Sequence, residues 1–416
     1  MIPQGEPLLT HVVFVAPRFL ENTLRYVEAF ASLTDAELSL VSEDPLERLR
    51  HSLRERVAGH YRIRSVLDAE QLGVAVRAIG RHIGKVDRLA GVLEQLQLPM
   101  AAVRERLGIE GPWLEVTRRF RDKDKMKEVL RSAGAPVARS TLARSTADLE
   151  RFAGEVGLPI VVKPPAGLGA RATMRVRDRD ELAGLAAIGM APSAEQPLQA
   201  EELVIGREHT CETVSVHGTP IWRSGTRYFP GPLEVLETPW IQYCVLLPRE
   251  ADDPTFTRFH PIGDAALRAL GMQTGLSHME WFLREDGSMV IGEVGARPPG
   301  VHIMPLMSLT HEVDMFRAWA ELMSFDRFEP VERKWAAGAA FFRGQGEGDR
   351  VRRVLGVEQA LEEVGASIVE ARLPKEGQPR AEGYEGEGWA IVRHETTDGA
   401  KHALSRLITN VRVELG

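Results

Sequence analysis

The sequence predicts a mixed α/β and α+β protein in three parts, and three observations carry that reading. Near the start, apolar runs follow the order strand, helix, strand, as in a small domain with a parallel sheet. Through the middle, a helix with clear stop signals precedes strand runs, a hairpin signal and a closing helix. From about Trp335 the composition turns to Gly- and Glu-rich short strands. The expected parts are an N-terminal α/β domain over 1–113, a central domain over 114–330 and a separate small β-rich domain over 331–416.

Taken in order, "HVVFVA", His11–Ala16, is an apolar strand stopped by Pro17. A helix is expected from about Asn22 to Leu33, and "AELSLVS" is the second strand. No GxGxxG follows the first strand, so no dinucleotide site is read there. Residues 65–108 read as helices. "RDKDKMKEVLRSAGAP" is a helix with Gly134 at its stop and Pro136 beyond it. "LPIVVKPPAGLGARATMRV" is strand, glycine-bearing loop, strand, and "PLQAEELVIGREHTCETVSVHGTPIW" is a run of strands turning at Gly206 and Gly218. "PLMSLTHEVDMFRAWAELM" closes the central domain as a helix. "GQGEG" in the last part is an acidic match to a phosphate loop and opens no strong helix, so it is set aside.

Composition removes several function classes. The chain has 416 residues, 44% of them apolar and 27% charged, as expected of a soluble globular protein. A net charge of −7 with both signs interspersed leaves no electrostatic footprint for nucleic acid. Cys211 and Cys244 are isolated and lack CxxC spacing, which fits buried thiols better than a disulfide scaffold or a zinc site. The opening "MIPQGEPLLTHVVFVAP" has no basic leader region, and its apolar run is too short to span a bilayer. A cytoplasmic location with no membrane partner is therefore expected. A homodimer is compatible with the sequence, which leaves the oligomeric state open.

The chemistry begins at "HMEWFLREDGSMVIGEVGARPPG", His278–Gly300. Asp286-Gly287 between two strand-like runs is a strong hairpin signal, because both residues accept positive φ. A turn centred there sets Glu280 opposite Glu293, although like charges across a ladder repel. A surface hairpin with both carboxylates in water is one reading. The other follows from the apolar run around Glu293, which suggests a buried central strand. Buried carboxylates need a counter-ion, and facing side chains lie about 4.5–5.5 Å apart at Cβ, suiting a small hard cation. Magnesium, which shares few protein oxygens with phosphate oxygens, fits best, and manganese is an alternative.

Arg297 projects with Glu293 and Gly295 if the strand runs on, placing a planar guanidinium where phosphate oxygens would lie. Lys163 ends the strand "PIVVK" just before "PPAGLGARA", so its charge and the glycine-loop N–H groups could meet one anion. Lys123 occupies the first turn of its helix, where the macrodipole disfavours a cation, although Asp122 and Asp124 flank it.

These elements in this order resemble the ATP-grasp superfamily over roughly residues 115–330, on "RDKDKMKEVLRSAGAP", "VVKPPAGLGA", "EELVIGRE" and Glu280 with "GEVGAR". The flanking regions fit the three-part layout of its biotin carboxylase-like members. The resemblance implies that ATP lies between two subdomains, with Lys123 and Lys163 on phosphates and Gly167 and Gly169 in a loop closing over them. Glu201, Leu203 and Val204 would form the hinge against adenine, and Glu208 would bind the ribose hydroxyls. Glu280 and Glu293 would hold magnesium, and Arg297 would stabilise the transferring phosphate.

Most of that family carries Glu-x-Asn-x-Arg, whereas Gly295 stands at the middle position here, so the second metal site is in question. His278 is expected opposite this gap, either filling it or orienting substrate, with a packed core histidine as the alternative. This variant is similar to the branch containing L-amino acid ligases and carnosine synthase-like enzymes. It implies a carboxylate–amine ligase joining an amino acid to an amine or second amino acid through an acyl phosphate. The "EVGARPP" segment is also similar to purine-biosynthetic members, so a ribonucleotide-amine ligase or carboxylase is the alternative, and a non-catalytic nucleotide-binding protein is a third. Arg227, Tyr228, Trp240 and His302 are candidates for acceptor contacts, while Trp222, Trp240 and Tyr243 read equally well as core aromatics.

Overall fold

Four strands near the chain start, β1 (Thr10–Val15), β2 (Ala36–Ser42), β3 (Gly59–Arg62) and β4 (Arg88–Ala90), form a parallel sheet in the order β3-β2-β1-β4. The coordinates are a computed structural model that describes residues 9–165, 173–238, 240–383 and 385–416. Along β1, Val12 and Phe14 pack with Val27 and Phe30, while Val13 and Val15 pack with Leu72 and Val76. A strand covered on both faces needs apolar residues at every position, which is why it reads as a continuous run. Strand β4 lies inside the stretch expected to be helical; three residues are too few to show a period. Tyr26 and Phe30 meet Trp319 edge-on, at ring separations of 5.2 and 5.6 Å, and so dock this domain on the central one.

A second sheet holds β5 (Ser140–Ala143), β6 (Ile160–Lys163), β7 (Met174–Val176) and β8 (Leu198–Glu202), antiparallel in the order β5-β8-β6-β7. It has its own small core around Leu149, Phe152, Ile160, Val162 and Ala200. The rest of the chain supplies β9 (Arg207–Val216), β10 (Thr219–Phe229), β11 (Tyr243–Leu247), β12 (Gly275–Leu283), β13 (Met289–Gly295) and β14 (Ala336–Phe342). After these come β15 (Gly344–Gln345), β16 (Val351–Leu355), β17 (Ile368–Arg372), β18 (Gly388–His394) and β19 (Arg412–Leu415).

The expected separate β-rich domain over 331–416 is corrected here. Strands β14, β18 and β17 extend the central sheet, whose eight strands run β13-β12-β9-β10-β11-β14-β18-β17. "AAGAAFF" is buried at every position because β14 is an internal strand paired on both sides. Only β15, β19 and β16 form a small sheet of their own, and the helix Thr397–Asn410 packs its buried residues on the extended sheet.

Two further expectations shift. Strand β13 is the edge of the sheet rather than a central strand. Its outer side is covered by the 136–137 segment, where Ile291 N–H donates to the Pro136 carbonyl at 2.8 Å, so apolar residues still line both faces. The closing helix is two helices, Ile303–His311 and Met315–Phe325, broken at Glu312 (φ 55°) and restarted by Asp314, whose side chain accepts from Phe316 and Arg317 N–H.

Candidate active site

The hairpin that joins β12 to β13 sets the register of the site. Near the turn, Leu283 faces Met289 and Trp281 faces Ile291, so the loop is one residue longer than a two-residue turn. Gly287 takes φ +80°, and Arg284 N–H donates to the Ser288 carbonyl at 2.9 Å. Gly292 then bulges, and beyond it Glu280 faces Glu293 and His278 faces Gly295, as the sequence predicts. The two offsets cancel.

The helix Lys123–Ser132 is capped by the Asp122 carboxylate, which accepts from Asp124 and Lys125 N–H. The Lys123 N–H donates to the Pro165 carbonyl, tying this helix start to the segment after Lys163. Strands β6 and β8 pair so that Lys163 faces Gln199 and Val161 faces Glu201. β8 ends at Glu202, so Leu203 and Val204 lie in the connection to β9 rather than in the strand.

These elements enclose a cleft of ≈ 690 Å³, a size suited to a nucleotide and a small substrate. Lys123, Lys163, Glu201, Leu203, Val204, Glu208, Arg227, Tyr228, His278, Glu280, Glu293 and Arg297 all line it. Gly167 and Gly169, with the rest of the expected closing loop, lie outside the described residues. His302 is not among the lining residues: its ring packs against Trp389 at 4.4 Å and Phe341 at 5.6 Å, and burial lowers its pKa to about 4. Trp240 is 67% exposed and also outside the lining, while Trp222 and Tyr243 are core aromatics.

Charge in the cleft is paired. The Lys123 ammonium donates to Glu293 at 2.6 Å, which answers why a lysine is tolerated at a helix start. Burial opposes ionisation of Glu293, but Lys123, then Lys163 and Arg297, outweigh it and hold the carboxyl well below the usual range. Burial, then the charge of Glu280, pushes the Glu208 carboxyl well above its ordinary range. His278 donates through Nδ1 to Glu212 at 2.8 Å, and its Nε2 lies 3.7 Å from Glu280. Burial works against the imidazolium, yet these two carboxylates raise its pKa to about 9. Arg227 pairs with Asp253, its guanidinium 5.7 Å from the Phe256 ring centre.

Sequence reasoning missed three charged partners. Glu94, from the N-terminal domain, accepts from Arg297 at 2.9 Å and pairs with Arg121 at 3.1 Å, so the two domains jointly orient the guanidinium. Glu212 is fully buried behind His278. Lys127 is buried beside Glu201. Of the three, Glu212 alone had a visible signal, an acid inside the apolar strand "TCETVSV".

The donor chemistry fits a hard cation. Among the described residues no group of three or more His, Cys, Asp or Glu forms a metal cluster, so an ion would rest on the facing Glu280 and Glu293 and take its remaining oxygens from a ligand. The Lys123 ammonium against Glu293 shows that this carboxylate accepts a cation.

Residues 122–209 match the family model described as carbamoyl-phosphate synthase L chain, ATP binding domain. The L-arginine-specific L-amino acid ligase of Bacillus subtilis is 23% identical over 240 residues, 57% of this chain and 57% of that protein. The chain thus spans little more than half the length of that curated relative. The L-amino acid ligase structure from Bacillus licheniformis superposes with a TM-score of 0.76 at 18% identity, covering 98% of this chain and 99% of that one. The N5-carboxyaminoimidazole ribonucleotide synthetase from Thermotoga maritima gives 0.68 at 15% identity, covering 98% and 100%.

Proposed function

Because the chain has the ATP-grasp fold, we propose that it is an ADP-forming, ATP-dependent carboxylate–amine ligase that joins an amino acid to an amine or second amino acid. The observation that carries this reading is the facing Glu280–Glu293 pair set against Lys123 and Lys163 across one cleft. Likeness to L-amino acid ligases supports the substrate class.

In the first step the substrate carboxylate oxygen attacks the γ-phosphorus. The bond to the β,γ-bridging oxygen breaks, and ADP leaves. In the second, the amine nitrogen attacks the acyl carbon, phosphate departs with the former carboxylate oxygen, and the nitrogen proton passes to solvent. Lys123, Lys163 and Arg297 position the phosphoryl group and stabilise the charge that moves through it. Glu280 and Glu293 would hold magnesium, which when bound neutralises charge on the phosphate oxygens. Tyr228, at the cleft wall, is the candidate contact for the acceptor, whereas Arg227 lies opposite His209 and pairs with Asp253 on the face turned away from it. No covalent protein nucleophile is needed; both thiols are buried, and burial pushes them up to about 12.

The test is ADP release from MgATP against a panel of amino acid pairs. Stimulation by pairs, with a dipeptide-like amide among the products, is the expected outcome. Stimulation by a ribonucleotide amine alone would replace this reading with the purine-type one, which the likeness to the ribonucleotide synthetase favours. Nucleotide binding without turnover on any substrate would leave a non-catalytic binder.

A further inference from the structure

We propose that Lys127 is a positioning residue: it neutralises Glu201, so that Lys163 is free to leave that carboxylate for the nucleotide's phosphates. The inference rests on the ATP-binding reading above. Lys127 follows Lys123 by one helical turn and therefore points the same way, into the cleft wall. It is 1% exposed, rare for a lysine without a purpose. Its Nζ lies 3.1 Å from Glu201 Oε2, and the Lys163 Nζ lies 3.1 Å from the same oxygen. Two ammonium groups therefore share one buried carboxylate oxygen, where one would suffice for neutrality.

The surplus has a physical reading. Lys163 ends its strand and is the more exposed of the two, so it is the one able to turn toward a ligand. If Glu201 had no other partner, that turn would strand a buried, unpaired carboxylate, a strongly unfavourable state. Lys163 would then stay where it is. With Lys127 in place the carboxylate remains paired throughout. The field at Glu201 agrees: burial opposes its ionisation, and Lys127, ahead of Lys163, overcomes this and keeps the carboxyl below its ordinary range.

The experiment is calorimetric titration of the full chain with magnesium and a non-hydrolysable ATP analogue. Wild-type binding comes first, since its failure would overturn the ATP reading itself and this inference with it. Given wild-type binding, Lys127→Met should weaken the analogue by at least about tenfold and Lys127→Arg by less than about threefold. The Lys127→Met/Glu201→Gln double variant removes both buried charges, so it answers the question even if Lys127→Met fails to fold. A lysine acting only through Glu201 predicts that this double variant binds within about threefold of Glu201→Gln alone. A further loss beyond about tenfold, or wild-type affinity in Lys127→Met, overturns the inference while leaving the ATP reading intact.

Discussion

His209 and His278 stand on neighbouring strands of one sheet and face opposite ways. On the cleft side, His278 lies opposite Glu212 and bonds to it at 2.8 Å; its pKa rises to about 9. On the core side, His209 lies opposite Trp281, stacked at 4.7 Å, and burial, then Arg227, lowers its pKa to about 4. The same side chain is a fixed cation on one face and a neutral aromatic plate on the other. Strand alternation does the sorting: Glu208, Glu212, His278 and Glu280 occupy one face of β9 and β12, while His209, Cys211, Met279 and Trp281 occupy the other. Packing on the back face holds the charged front face in register.

The largest test of that division is catalytic. Glu293→Gln keeps the shape of the front face and removes the carboxylate that would hold the metal. Turnover should fall on the order of 10²–10³-fold, read as ADP release at saturating ATP and magnesium. Met279→Leu, a volume-conserving swap directly behind the site, should leave turnover nearly unchanged and cost less than about 1.5 kcal/mol of stability. If the back-face swap slowed turnover as much as the front-face one, the separation of roles between faces would be wrong.

A smaller effect is expected in stability. Removing the imidazole in His278→Ala leaves the fully buried Glu212 without its counter-ion, which should cost about 3 kcal/mol in urea unfolding. His209→Phe loses no hydrogen bond to a described residue, since neither ring nitrogen of His209 has one, and it keeps the stack on Trp281. Its cost should stay within about 1 kcal/mol. Equal costs for the two variants would mean that His278 is a packing residue like its neighbour.

How much of this was legible in the sequence depended on the range of the interaction. The facing glutamates were readable because hairpin register is local, although the reading reached them through a two-residue turn when a longer loop and the Gly292 bulge compensate one another. Lys123, Lys163, Glu201, Glu208 and Arg297 were readable as a pattern in order along the chain, and the cleft gathers all of them. Glu94 was not, because its partner Arg297 is remote in sequence and its own surroundings, "GVLEQLQ", read as an ordinary helix. Lys127 carries no local signal of burial, because its partner Glu201 lies far along the chain, on β8. The third part was misjudged for a similar reason. Short Gly- and Ala-rich strands look like a separate module until their neighbours in the sheet are known.

The smallest effect, and the sharpest test of the two faces, is pH dependence. The unfolded state holds both histidines near 6.5. For His209 the folded value is lower, so the unfolded chain binds the extra proton; stability is fully present above about 6.5 and is lost as pH falls toward about 4. For His278 the folded value is higher, so its contribution is full below about 6.5 and is lost as pH rises through about 9. Each limb should have a slope of at most about 1.4 kcal/mol per pH unit. In urea titrations from pH 4 to pH 10, His209→Phe should flatten the acid limb and leave the alkaline one. His278→Gln should do the reverse, with stability at neutral pH already lowered by the loss of its ion pair. If either variant flattened the opposite limb, the two histidines would not be held in the protonation states that their facing partners dictate.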